Sequence, residues 1–470
     1  MKNIYFISLL FILFAFFGCT KRKSEVNTVN SSKDSLPVYF SFANDLSLDG
    51  KKRELYTQKA FDIVIEQEND SLNRKNLFKV ANRYYNISNW KNFHKTVRIV
   101  LEKSELAKDT INIAKSYTYL GDYYESQAVS DSAFLFYYKA EKMYEKLGDN
   151  INLGKTLINK ANLQYKAGDF LGSEKSVFKV LRIIRGENNN NNNVFYDSYN
   201  LLGLIYNELG EFDNAIAYNN KALSVIDDNV MPVEFQYKAT SYNNIGFLYQ
   251  TSQNFLLAKS YFQKGLEQEK LIIYKPFVYA MLLDNLAYSK FKMKETDGLP
   301  ELFYQSLKLR DSLQLSSGIF INKIHLSEYF AANNDTIKAL QYSKEALLLS
   351  RNTNISRDIL VALKQLALIE PKNATIYNRE YIHINEELQK EERSMGEKFS
   401  RIEYETDVIK GENSDLTTQN RNLVYIFSFI TILGLLTYII KAQKTKNKVL
   451  LYKQQQQKAN EDIYNLMISQ

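Results

Sequence analysis

The chain has 470 residues, 45% hydrophobic and 13% aromatic, which is ample for a sizeable core, and its seventeen Gly and five Pro are few enough to point to long helices. The net charge of +7 is modest and sits largely in lysines near the C-terminus; with no basic stripe interleaved with aromatics, it argues against a nucleic-acid partner. One cysteine, Cys19, excludes an intramolecular disulfide.

Taken in chain order, residues 1–19 come first. Lys2, an apolar run from Ile4 to Phe17, and then Gly18-Cys19 form a secretory signal pattern. Phe16-Phe17-Gly18-Cys19 resembles a loose bacterial lipobox, and that resemblance makes Cys19 a candidate lipidation site. An uncleaved N-terminal anchor and ordinary cleavage are the alternatives. Residues 20–50 are polar, contain Pro37 and show no helical period, so they read as a linker.

From Lys51 the chain repeats. Small residues recur at Ala81, Gly121, Ala161, Gly203, Gly246, Ala287, Ser327 and Ala367, at intervals of 40 to 43 residues. A fixed period of this size predicts a helical solenoid. The unit is clearest as Gly121, Tyr124, Ala133, Tyr137 and Ala140, and again as Gly246, Tyr249, Ala258, Phe262 and Gly265. A third copy reads Gly203, Tyr206, Ala215 and Ala222, with Asn219 in the place of an aromatic. The small residue lets two helices cross closely, the aromatics fill the gap, and the second small residue accepts the partner helix. The pattern resembles the tetratricopeptide repeat over 51–387, with a longer period than the standard unit of ~34 residues. Copies around Ala161 and Ala367 fit less well, because Ser173 and Arg379 stand at the second small position. The run Asn188 to Asn193 falls at a repeat junction and reads as a tolerated loop.

Next comes an apolar stripe at heptad spacing, Tyr381, Leu388, Met395, Ile402, Ile409, Leu416 and Leu423, whose companion positions are largely charged. Residues 388–422 are therefore expected to be a long helix, with either a weak dimer seam or packing on the last repeat. Leu423 to Ile440 is eighteen residues without a charge, covering about 27 Å as a helix, and reads as a membrane span. Lys441, Lys444, Lys446, Lys448 and Lys453 follow with no acid before Glu461, which places 441–470 in the cytoplasm and the solenoid outside it. Val449, Tyr452, Ala459, Ile463 and Leu466 give that tail a coiled-coil spacing. The expected fold class is all-α: a solenoid, a long helix, one transmembrane helix and a coiled-coil-like tail.

Motifs for chemistry are missing. His94, His325 and His383 are far apart, with no second His or Cys at ligand spacing, and no nucleophile elbow or phosphate loop occurs. No catalytic, metal or cofactor residue is assigned.

The order of segments resembles the sensor half of the tetratricopeptide-repeat sensor histidine kinases of Bacteroidetes-type bacteria. The residues that carry it are Glu391-Glu392-Arg393, Phe399 to Thr406, and the tail Lys458 to Met467. In that family the tail leads into the helix bearing the phosphorylated histidine, but no histidine follows Leu423 here and the ATP-binding boxes are absent. Kinase activity is therefore not assigned to these residues. A truncated kinase, a fragment and a stand-alone receptor stay open. The resemblance implies a two-component sensory module in the bacterial inner membrane that binds a periplasmic protein or peptide and can pair as a homodimer. A scaffold or assembly lipoprotein and the receptor half of a membrane-bound transcriptional regulator are the alternatives. For the peptide-binding face the resemblance points to Asn162, Asn200 and Asn243, whose amides offer a peptide backbone both a donor and an acceptor.

Overall fold

A computed structural model describes residues 31–186 and 191–468. The signal segment with Cys19, and part of the asparagine run, lie outside the described residues. The rest is helical, with no strand among the described residues. Two compact units divide at residue 399.

The first unit is a series of antiparallel helix pairs: α1 (Ser31–Asn44) and α2 (Gly50–Ile65), α3 (Ser71–Asn86) and α4 (Trp90–Leu106), α5 (Thr110–Ser126) and α6 (Ser130–Leu147), α7 (Asn150–Lys166) and α8 (Phe170–Ile184). It continues as α9 (Asn192–Glu208) and α10 (Phe212–Ser224), then α11 (Tyr237–Thr251) and α12 (Phe255–Leu266), with the short α13 (Leu271–Tyr274) leading into α14 (Pro276–Lys292) and α15 (Glu301–Ser312). The pair α16 (Ser316–Ala332) and α17 (Thr336–Thr353) follows, then α18 (Ser356–Ile369), and α19 (Ala374–Ile468) begins in this unit and ends in the second.

Local chemistry sets the helix boundaries. Lys108, Gly148, Gly168, Gln253 and Asn334 each have positive φ, and each is followed by an Asp or Asn that caps the next helix. Asp109, Asp149 and Asp169 accept from the backbone N–H three residues on, at 3.2, 3.1 and 3.0 Å. Each cap stabilises its helix start by about 1 kcal/mol. The left-handed residue before it turns the chain back sharply, so consecutive helices pack side by side.

The repeated small residues do what their spacing implies. Gly121 lies under the Tyr137 ring and Gly246 under the Phe262 ring, sixteen residues on in both cases. In the third copy Asn219 takes the ring's place against Gly203, and its Nδ2 donates to the Ala215 carbonyl at 2.9 Å. Ser173, which weakened the fourth copy in the sequence, is fully buried and donates to the Ala161 carbonyl at 2.7 Å. A hydroxyl of that size serves the close crossing as an alanine does, provided a carbonyl accepts its proton.

One segment differs from expectation, and another takes one of its two expected forms. Residues 31–44, taken from the sequence as linker, form α1, whose Leu36 and Phe40 join the first core cluster with Phe61, Leu77 and Phe78. The heptad stripe begins by packing within the first unit: Tyr377, Tyr381 and Ile384 cover the cluster of Ile359, Leu363 and Leu366 from α18. In the second unit, 400–468 of α19 include the candidate span, with a mean hydropathy of 2.3 and no residue of that window buried. It is one helix long and apolar enough to cross a membrane.

Candidate functional site

The first helices of successive pairs share a face, and repeat register decides which residues line it. Asn82, Asp122 and Asn162 stand forty residues apart on α3, α5 and α7, as do Tyr85 and Glu125, Tyr119 and Asn159, and Ser126 and Lys166. These residues, with Trp90 and Phe93 of α4 and Tyr137 of α6, enclose an open cavity of about 510 Å³.

One wall is aromatic. Tyr85 meets Trp90 edge-on at 5.3 Å and Phe93 at 5.5 Å, and Phe93 stacks on Tyr119 at 5.9 Å. The remaining lining is largely polar. The Tyr137 hydroxyl lies 2.8 Å from both Asp122 Oδ1 and Glu125 Oε2, and Asn159 Nδ2 donates to the same Asp122 oxygen at 3.0 Å. Lys166 Nζ donates to Glu125 Oε1 at 2.6 Å. Burial pushes the Asp122 carboxyl up to about 7, against the hydrogen bonds from Tyr137 and Asn159. The Tyr137 phenol is raised far above its ordinary value, by burial first and then by the two carboxylates.

The three asparagines separate. Asn162 lines this cavity, and its Nδ2 donates to its own helix at the Ile158 carbonyl, 3.0 Å away. Asn200 and Asn243 belong to a ladder that stitches α9, α11 and α14: Asn244 donates to Asn200 at 2.8 Å and Asn285 to Asn243 at 3.0 Å. A second open cavity of about 660 Å³ lies between α14, α16 and α18, with Lys292, Glu328 and Lys364 around apolar Val361 and Leu368.

Residues 392–399 of α19 dock on the same pairs that build the first cavity. Phe399 is 1% exposed and stacks on Phe134 of α6 at 4.3 Å and 9°, while Lys398 pairs with Asp131 one turn earlier. Glu392 packs over Gly168 in the turn between α7 and α8, where a positive φ of 80° and the adjacent side chain both favour glycine. Arg357 of α18 pairs with Glu392 at 2.7 Å and with Glu208 at the end of α9 at 2.9 Å. Pairing across 149 residues shows how far the solenoid curls.

The histidines take structural places. His94 stacks on Tyr123 at 4.2 Å, and His383 is exposed. His325 Nδ1 lies 3.1 Å from Asp284, a fully buried carboxylate that also holds Arg310 at 3.2 Å and accepts from Asn322. Burial alone would raise the Asp284 carboxyl, but His325 and Arg310 outweigh it and hold it below the usual range.

The tetratricopeptide repeat family model matches residues 196–229 and 239–270, the pairs α9/α10 and α11/α12. These two segments are similar to the tetratricopeptide repeat. No curated protein sequence matches the chain. Among solved structures, a Rap protein complexed with competence and sporulation factor is similar at a TM-score of 0.52 and 15% identity, covering 77% of this chain and 99% of that one. The Rap conjugation gene regulator of plasmid pLS20, in complex with the Phr* peptide, gives 0.52 and 14%, covering 76% and 96%. A signal transduction ATPase with a tetratricopeptide repeat sensor from Pyrococcus horikoshii gives 0.50 and 15%, covering 77% of this chain and 55% of that one. At these identities the likeness is one of fold, a helical-repeat solenoid.

Proposed function

We propose that the chain is a membrane-anchored sensory module of a two-component system. Its solenoid lies in the periplasm, binds a peptide or protein on the shared face of its first helices, and passes the change through α19 to the cytoplasmic tail. One observation carries the reading. The pairs α5/α6 and α7/α8 supply most of the first cavity and also the dock for 392–399, so occupancy of one bears on the other. Asp131 and Phe134, which hold α19, lie on α6 one to two turns before Tyr137 in the cavity.

The helix that carries this dock continues in sequence to Leu423–Ile440, and the five lysines behind that span support a cytoplasmic C-terminus. The Phr* peptide in the complex of one structural relative supports a peptide ligand here. A phosphatase reporter fused after Ala367 is expected to be active, and one fused after Lys453 inactive. The reverse pattern overturns the assignment of solenoid outside and tail inside.

A further inference from the structure

The cavity between α3, α5 and α7 holds two carboxylates and only one cation. Lys166 answers Glu125, while Asp122 has no basic partner among the described residues. Tyr137 has a single O–H proton, so it can donate to Asp122 or to Glu125 but not to both. A donor-rich cation entering the cavity would complete this set. The aromatic part of the lining suits the same guest, because cations are attracted to the faces of Trp and Tyr rings, and Trp90 and Tyr85 belong to it, Tyr85 being 43% exposed.

We infer that this cavity takes a guanidinium or alkylammonium group, with Asp122 as its counter-ion and the Trp90 and Tyr85 rings beside its apolar stem. The inference rests on the peptide-sensing reading above and gives it a ligand class: an exposed arginine, lysine or N-terminal amine, or a free small cation of the same chemistry. Asp122 raised to about 7 by burial is consistent with a site whose charge lacks an internal partner and is relieved by a guest.

Trp90 is the chain's single tryptophan, so its emission reports the cavity directly. The full chain in lipid nanodiscs is titrated with short peptides that differ at one position, arginine, citrulline or glutamate, and separately with agmatine. The arginine peptide is expected to give a saturable change, with the citrulline peptide at least about tenfold weaker, the size of one charge-assisted hydrogen bond. Asp122→Asn should weaken the arginine peptide by a similar factor and leave the citrulline peptide unchanged. Lys166→Ala, at a side chain 65% exposed and harmless to the fold, should tighten it by removing the competing cation. Agmatine binding as tightly as the arginine peptide assigns the cation to a free small molecule, and weaker agmatine binding assigns it to a peptide side chain. Equal affinity for arginine and citrulline peptides overturns the cation site while leaving peptide binding intact. No response to the arginine peptide or to agmatine also overturns it, and the topology reading then stands or falls on its own fusion experiment.

Discussion

Gly246→Ala sets two physical effects against each other. In an open helix the change adds about 0.8 to 1 kcal/mol of stability, because alanine loses less backbone entropy than glycine. At this position a Cβ would lie 2.5 Å from Phe262 Cε1, with two more ring atoms at 2.8 and 3.0 Å, and the ring is fully buried. Ordinary contact needs the ring to retreat by nearly 1 Å into a packed core, and such overpacking costs about 1 to 3 kcal/mol. A ring with no room to move takes the upper part of that range, so the net expectation is a loss of about 1 to 2 kcal/mol. Gly154 is the control. A Cβ there meets Ile184 Cγ2 at 3.2 Å, so a small shift suffices and Gly154→Ala should be neutral or stabilising. Adding Phe262→Leu to Gly246→Ala should recover part of the loss, giving a non-additive pair. Urea midpoints of the full chain measure all four proteins. A Gly246→Ala midpoint at or above the parent's would refute the close crossing on which the whole repeat register rests.

Asp284→Ala should cost about 3 to 5 kcal/mol, since Arg310 is left buried without its carboxylate; a thermal midpoint within error of the parent's would contradict that network. Phe399→Ala should cost about 2 to 4 kcal/mol from lost burial and ring stacking, whereas Arg357→Ala, at a side chain 48% exposed, should cost less than about 1 kcal/mol. Equal effects would mean that ion pairs, rather than the Phe399 ring, hold the start of α19. Asp122 binds its proton more tightly folded than unfolded, so its contribution is full below about pH 4 and lost as pH rises through about 7. The groups facing it are Tyr85, Glu125, Tyr137 and Lys166. Asp122→Asn should therefore raise the thermal midpoint above the parent's at about pH 8 and by less at about pH 5; a constant difference would contradict the assignment.

The solenoid was legible because steric crowding leaves a mark at fixed intervals: Gly121 and Gly246 recur where a ring must pass, and Gly168-Asp169 recurs as a turn and cap. Helix α1 was missed because Pro37 and its polar neighbours masked Leu36, Phe40 and Ala43, three buried residues at spacings of four and three. Asn162 lines the first cavity, but Asp122, which lines it too, belongs to no motif of its own. Aligning the repeats at forty residues puts Asp122 between Asn82 and Asn162, and that register was the available signal. The dock of α19 had no local signal. Phe399 falls outside the heptad stripe, and Arg357 and Glu392 meet from 35 positions apart with nothing in between to announce it.

Spin labels at Lys146→Cys on α6 and Ser394→Cys on α19, in a Cys19→Ser background, measure directly whether the cavity and the helix leading to the apolar span are coupled. Both positions are exposed and lie within the first unit. The full chain in nanodiscs should give one distance distribution without ligand and a displaced one when a cationic peptide saturates the Trp90 signal. Saturation of Trp90 with the distance distribution unchanged would contradict transmission through α19.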